Sequence, residues 1–468
     1  MERQVNQAGD VPTSGLRVGC RLLAACAVVL AACERGPATA APAAGARRPP
    51  NIVLLISDDQ DWQQLGFLGA APSPTPALDE LAAEGLVFTE GCAAPRCRPT
   101  LAGLMTGRYP HQSGFYSNAS KRLLRGPNLL PRLLADAGYA CYAEGKFWEG
   151  SPRAVGFQFG PEPGEQGVGA AAKSFVREGQ ARLFDFLDGV GDRPFFLWWA
   201  PLLPHVPHDP PPELLAAVDP ATIAVPDWIA PADRDAYVEA ERLSLAMVRW
   251  LDRGVAELRA KLRELDLERD TLFVFLIDNG WADGSLSKGS PYEKGVRTPL
   301  VLAWPGNVEA GRSAALVSFL DVMPTILDYA GVAVPEHCAG ASLRPLAEGR
   351  EVAWRDALFG ACYAAEASPS HRPEDDLFAL HARDDRWKYV RWVRAVGPEE
   401  NSARYRVQDL FVPPWSRAAG QEELFDLRDD PLERIDLSAD PGHAERLAQW
   451  RERTDAWWNS TGGAELPH

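Results

Sequence analysis

An α/β fold with a large, mostly parallel central sheet flanked by helices, plus a smaller C-terminal α+β domain with a short antiparallel sheet, is what the sequence predicts. Ile52–Ile56, Phe195–Trp199 and Leu272–Ile277 are unbroken apolar runs, the pattern of parallel strands covered on both faces. Between the second and third of these runs, Met247, Leu251, Val255, Leu258, Leu262 and Leu265 recur every three or four residues, the stripe of an amphipathic helix. Strands alternating with helices predict a parallel sheet. Beyond Arg372 the pattern shortens to strand-like runs at Trp387–Val393 and Glu423–Leu427, followed by a helix over His443–Trp458.

In chain order, residues 1–33 read as an export signal. Arg17 and Arg21 precede the apolar run Leu22–Ala32, which ends in Leu30-Ala31-Ala32-Cys33. That ending resembles a bacterial lipobox, which implies acylation of Cys33. Leu23-Ala24-Ala25-Cys26 fits the same box but leaves almost no apolar run ahead of it. The run is shorter than the ~20 residues a membrane-spanning helix needs. Expected location is therefore export, with a lipid anchor in a bacterial membrane and the folded part facing the periplasm or cell surface. Residues 34–50, rich in Ala and Pro, read as a linker. The catalytic domain is then expected over 51–371 and the smaller domain over 372–468.

The net charge of the 468-residue chain is −16, and loss of the leader makes it one unit more negative. Such a field disfavours nucleic acid as a partner, while local basic residues can still hold one anionic group. Five cysteines lie beyond Cys33: Cys92, Cys97, Cys141, Cys338 and Cys362. In an oxidising compartment an odd count leaves one unpaired, taken here as Cys97, and the other four allow three pairings.

Open α/β sheets hold ligands beyond the carboxyl ends of their strands. Asp58 and Asp59 follow the first apolar run, and Asp278 and Asn279 follow the third, so two acidic strand ends point at one site. These are oxygen donors only, which favours a hard cation, and flexible carboxylate geometry suits Ca²⁺. Pro99 suits the first turn of a helix, which puts Cys97 near a helix N-terminus that favours an oxyanion.

The segment Cys97-Arg98-Pro99-Thr100-Leu101 with Thr106-Gly107-Arg108 resembles the nucleophile motif of the type I sulfatases, in the alkaline phosphatase superfamily. Gly145-Lys146-Phe147-Trp148, Pro204-His205-Val206-Pro207 and Lys288-Gly289-Ser290-Pro291-Tyr292-Glu293 resemble further segments of that family, and the likeness runs from about Asn51 to Asp436. The resemblance implies a sulfuric ester hydrolase. One Ca²⁺ would be held by Asp58, Asp59, Asp278, Asn279 and the residue at 97. Cys97 would be oxidised to formylglycine, whose hydrate attacks sulfur and whose second hydroxyl expels sulfate. Lys146 and Lys288 would neutralise sulfate oxygens, and His205 would protonate the leaving alcohol. The implied substrate is a sulfated carbohydrate or an aryl sulfate.

Two positions depart from the family pattern: Leu101 stands where it has arginine and Trp148 where it has histidine, both on the nucleophile side. Arg98, Arg108 and His111 are the candidates to supply the missing polarity. Trp148, Trp198, Trp199 and Trp281 flank the motifs and offer faces for sugar stacking or core packing, of which packing is the commoner use. Two other readings fit the same residues: a phosphate or phosphonate ester hydrolase of the superfamily, and a non-catalytic anchored protein that binds sulfated glycans.

Overall fold

The computed structural model describes residues 48–464 and 466, apart from 121, 162–174, 282–285, 366–367, 369–370 and 398–415. The expected leader with Cys33 and nearly all of the expected linker lie outside the described residues. Among the described residues, no helix is long and apolar enough to cross a membrane.

The main sheet contains β1 (Asn51–Ser57), β2 (Leu86–Cys92), β3 (Ala140–Gly145), β4 (Phe195–Ala200), β5 (Thr271–Ile277), β6 (Leu300–Ala303) and β7 (Gly311–Ser318). Their order is β3-β4-β1-β5-β6-β2-β7. Only β6 is reversed, running against both β5 and β2, so the sheet is mostly parallel as expected. β1 sits between β4 and β5, and all seven of its residues are buried.

Alternation along β1 serves both faces of the sheet. Ile52, Leu54 and Ile56 join one apolar cluster, while Val53 and Leu55 join the other. Four helices matter below: α1 (Pro76–Glu84), α2 (Cys97–Thr106), α3 (Arg234–Glu264) and α4 (Ala444–Ser460). The predicted stripe of α3 buries Met247, Leu251, Val255, Leu258 and Leu262 against the face that includes Val53 and Leu55. Leu101, Leu104 and Met105 of α2 fill the opposite face. Asp252 of α3 accepts from the backbone N–H groups of Ala77 and Leu78 at 3.0 and 2.9 Å, satisfying the first turn of α1.

A second, antiparallel sheet has the order β11-β10-β9-β8, with β8 (Leu358–Tyr363), β9 (Leu377–Arg383), β10 (Trp387–Trp392) and β11 (Glu422–Asp426). Its edge strand β8 comes from before residue 372 and pairs with β9 beyond it. The joint includes a buried ionic knot: Glu293 is paired with Arg383 and with Lys388, the latter at 3.0 Å, and its backbone N–H donates to Glu433. This ties the chain after Lys288 to the second sheet. All five cysteines of the folded part are free, which corrects the expectation of pairing. Each is packed separately; the Cys141 thiol, for example, faces the Pro131 carbonyl at 3.3 Å.

Candidate active site

The carboxyl ends of β1 and β5 meet as the sequence predicts. The backbone N–H of Asp278 donates to the Ser57 carbonyl at 2.9 Å, and that of Asp59 donates to the Asp278 carboxylate at 3.2 Å. Asp59 takes a left-handed backbone conformation (φ 58°), which aspartate tolerates better than most residues. Thr100, in the first turn of α2, donates to the Asp278 carbonyl at 2.7 Å and accepts from the Ala94 N–H at 3.1 Å. These bonds place Cys97 over the strand ends. Ligand atoms of Asp58, Asp59, Cys97 and Asp278 all lie within 4.8 Å of one another.

Two lysines complete the cluster. Lys146 follows β3, where Gly145 has φ 96° and a Cβ would lie 2.1 Å from the Ala200 carbonyl oxygen, so only glycine fits the approach. The Lys146 ammonium contacts Asp58 and, at 3.1 Å, Asp278. Lys288 reaches both Asp59 oxygens at 2.5 and 2.7 Å, and the neighbouring Gly289 N–H bonds to the Pro95 carbonyl, close to Cys97. His205 Nε2 lies 3.5 Å from Asp59, and its loop is pinned to β1 by the Asp58 N–H donating to the Leu203 carbonyl at 2.9 Å. His205 is the most exposed of these groups, with 26% of its side chain accessible.

Burial raises Asp58 and Asp278 to about 6 against the pull of Lys146. Asp59 is buried too, but Lys288, His205 and Lys146 together hold it below the ordinary carboxylate range. Burial opposes charge on the lysines, yet their carboxylate partners hold both above the usual lysine range. The Cys97 thiol is pushed to about 12 by burial, so at neutral pH it is a protonated group facing Asp59 at 3.7 Å rather than a thiolate.

The donors fit a hard cation. Among the described residues Asp58 Oδ2 and Asn279 Oδ1 are buried oxygens without a hydrogen-bond partner, while the Asn279 amide is fixed by donating to Asp59 at 2.7 Å. Leaving such oxygens unmet costs about 1–3 kcal/mol each. An oxygen-ligated ion meets that cost, and the donors are those expected for Ca²⁺.

The three auxiliary candidates sit elsewhere. Arg98 turns away from the cluster onto Glu149 at 3.0 Å and onto the carbonyls of Ser120 and Arg122, an anchor for the start of α2. Arg108 lines a separate groove with His337. His111 Nε2 faces Thr461 at 3.0 Å among Tyr109, Trp457 and Trp458, where burial lowers it to about 4. Among the described contacts none of the three touches the cluster. Leu101 is 1% exposed inside the apolar layer, so its role is packing. Trp198, Trp199 and Trp281 are buried as well, and only Trp148 keeps partial exposure. Sequence reading overlooked Thr100 and Glu149. Thr100 lies inside the Cys97 segment and Glu149 directly follows Trp148, but their partners come from distant segments.

Residues 50–332 match the family described as sulfatase, and residues 279–402 match the C-terminal part described for N-sulphoglucosamine sulphohydrolase. The chain is 31% identical over 360 residues to N-acetylgalactosamine-6-sulfatase of Canis lupus familiaris, covering 63% of this chain and 64% of that protein's length. It is 23% identical over 428 residues to an ulvan-active sulfatase of Formosa agariphila, covering 88% of this chain and 80% of the relative. A solved complex with its substrate D-glucosamine-2-N,6-O-disulfate shares the fold at TM-score 0.70 and 19% identity, over 89% of this chain and 98% of that one. The matched stretch spans more than half the sequence and contains every residue of the cluster: this chain belongs to the sulfatase family.

Proposed function

We propose that this protein hydrolyses sulfate esters of carbohydrates, with Ca²⁺ and a formylglycine derived from Cys97. The carrying observation is the convergence of Asp58, Asp59, Asp278, Cys97 and two ammonium groups at the start of α2. A cation held by Asp58, Asp59, Asp278 and Asn279 would supply polarisation of a sulfate oxygen. The unmodified thiol, protonated at neutral pH, is a poor nucleophile, which supports oxidation of position 97 to supply a reactive oxygen.

Lys146 and Lys288 then serve the sulfate oxygens, each exchanging part of its carboxylate contact for the substrate anion. His205, at the exposed side of the cluster, gives a proton to the departing alcohol. Burial lowers its basicity while Asp59 opposes that, so the ring can both hold and release a proton. Sulfated sugars are the favoured substrates, supported by the sulfated carbohydrates on which its relatives act. The leader sequence supports export with a lipid anchor at Cys33.

The test is turnover of a matched aryl sulfate and aryl phosphate by purified protein with Ca²⁺. Sulfate release that exceeds phosphate release and disappears in Cys97→Ala supports the proposal. Preference for phosphate would overturn the substrate, and no release of either would favour a binding protein.

A further inference from the structure

A second anion-binding place lies at the other end of α2. A groove of about 460 Å³ is lined by Arg108, Arg122, Arg125, Asn128 and His337, and among the described residues no carboxylate lines it. In a chain of net charge −16, three arginines on one concave surface are a local reversal of the field. Two buried arginines elsewhere are closely paired: Arg259 meets three glutamates and Arg383 meets two. By contrast, Arg108, Arg122 and Arg125 have no carboxylate partner among the described residues. The Arg122 guanidinium lies 5.8 Å from the Phe115 ring, which limits its freedom before any ligand arrives. Burial and the Arg108 charge hold His337 below its ordinary range, so it adds a neutral donor or acceptor.

The groove is linked to the catalytic cluster by the chain that forms its wall. Arg98, next to Cys97, donates its backbone N–H to Asn118 at 3.0 Å and its guanidinium to the carbonyls of Ser120 and Arg122. The Leu124 N–H donates to Glu149, the same carboxylate that holds Arg98. Thr106, the last residue of α2, also lines the groove, about 14 Å along the helix axis from Cys97. The exposed Arg122 and Arg125 lie on this wall outside the cluster, so a ligand that reaches both places must be longer than one sugar ring.

We propose that this groove binds a second sulfate or carboxylate group of an anionic oligosaccharide, so that the protein takes sulfated chains rather than single rings. The proposal rests on the sulfate-ester reading for the class of ligand. Guanidinium forks suit such groups because they donate in parallel pairs.

The test uses the Cys97→Ala protein, which removes turnover, and a sulfated hexasaccharide prepared from heparin, with maltohexaose and sodium sulfate as separate arms. Calorimetry is expected to show binding of the sulfated hexasaccharide but not of maltohexaose. Adding R122A/R125A is expected to weaken that binding at least ~10-fold, with folding checked by circular dichroism. R122K/R125K is expected to recover part of the loss. Equal affinity with and without the two arginines would overturn the proposal, as would sodium sulfate binding as tightly as the hexasaccharide. Arginine-dependent binding without aryl sulfate turnover in the Cys97 protein would sink the catalytic reading and keep the groove; turnover without arginine-dependent binding would sink the groove alone.

Discussion

Withdrawing the cation at two pH values probes the cluster through its own electrostatics. Asp58 and Asp278 are raised from 3.8 to about 6 by burial, so each holds a proton below pH 6 that a cation must displace. Each group then weakens binding about tenfold per pH unit, so affinity at pH 5 falls roughly 100-fold below its value at pH 7.5. With Ca²⁺ fixed at 100 times its Kd at pH 7.5, binding stabilises the fold by about 2.7 kcal/mol there and by only about 0.4 kcal/mol at pH 5. For a unit of this size those values correspond to roughly 3 °C and under 1 °C in Tm. In chelator the sign is opposite. The folded state binds more protons than the unfolded between pH 3.8 and 6, so these two groups contribute stability that is lost as pH rises through that window. Asp59, held low, acts only at more acidic pH. Differential scanning calorimetry with Ca²⁺ and with chelator at both pH values is the assay. Equal stabilisation at pH 5 and 7.5, or none at either, would refute the reasoning.

Three further outcomes are expected. Glu149→Ala leaves Arg98 buried without its carboxylate and should cost about 3–5 kcal/mol in denaturant unfolding; a loss under 1 kcal/mol would mean that the pair is not the anchor of α2. His205→Gln should slow esters with poor leaving groups by roughly 10²–10⁴ and esters with good leaving groups much less, and a uniform loss across leaving groups would argue against proton donation. Leu54→Ala, at the centre of β1 with 0% exposure, should cost about 2–5 kcal/mol by calorimetric or denaturant measurement.

Much of the site was legible because its donors sit where pattern and chemistry coincide. Five apolar residues announce β1, and after Ser57 come the candidate donors Asp58 and Asp59; Asp278 and Asn279 follow the apolar run of β5 directly. Pro99 marked the helix that begins at Cys97. Strand direction was less accessible, since the apolar run of β6 looks alike whether it runs with or against β5. β8 reads weakly because Leu358–Tyr363 contains glycine and cysteine in place of an apolar run, so the second sheet seemed to start later. Arg98 lies beside the nucleophile in sequence, and nothing local reveals that Glu149 and two carbonyls draw it away. The cysteines misled for a related reason: their count suggested pairing, while their packing keeps each thiol separate.

The proposed function places the nucleophile of a sulfate-ester hydrolase at position 97. Mass spectrometry of the peptide containing residue 97, from protein made in a host able to oxidise such cysteines, addresses it most directly. Active preparations should carry the mass of formylglycine or its hydrate; a uniformly unmodified thiol in protein that still releases sulfate would rule out this nucleophile.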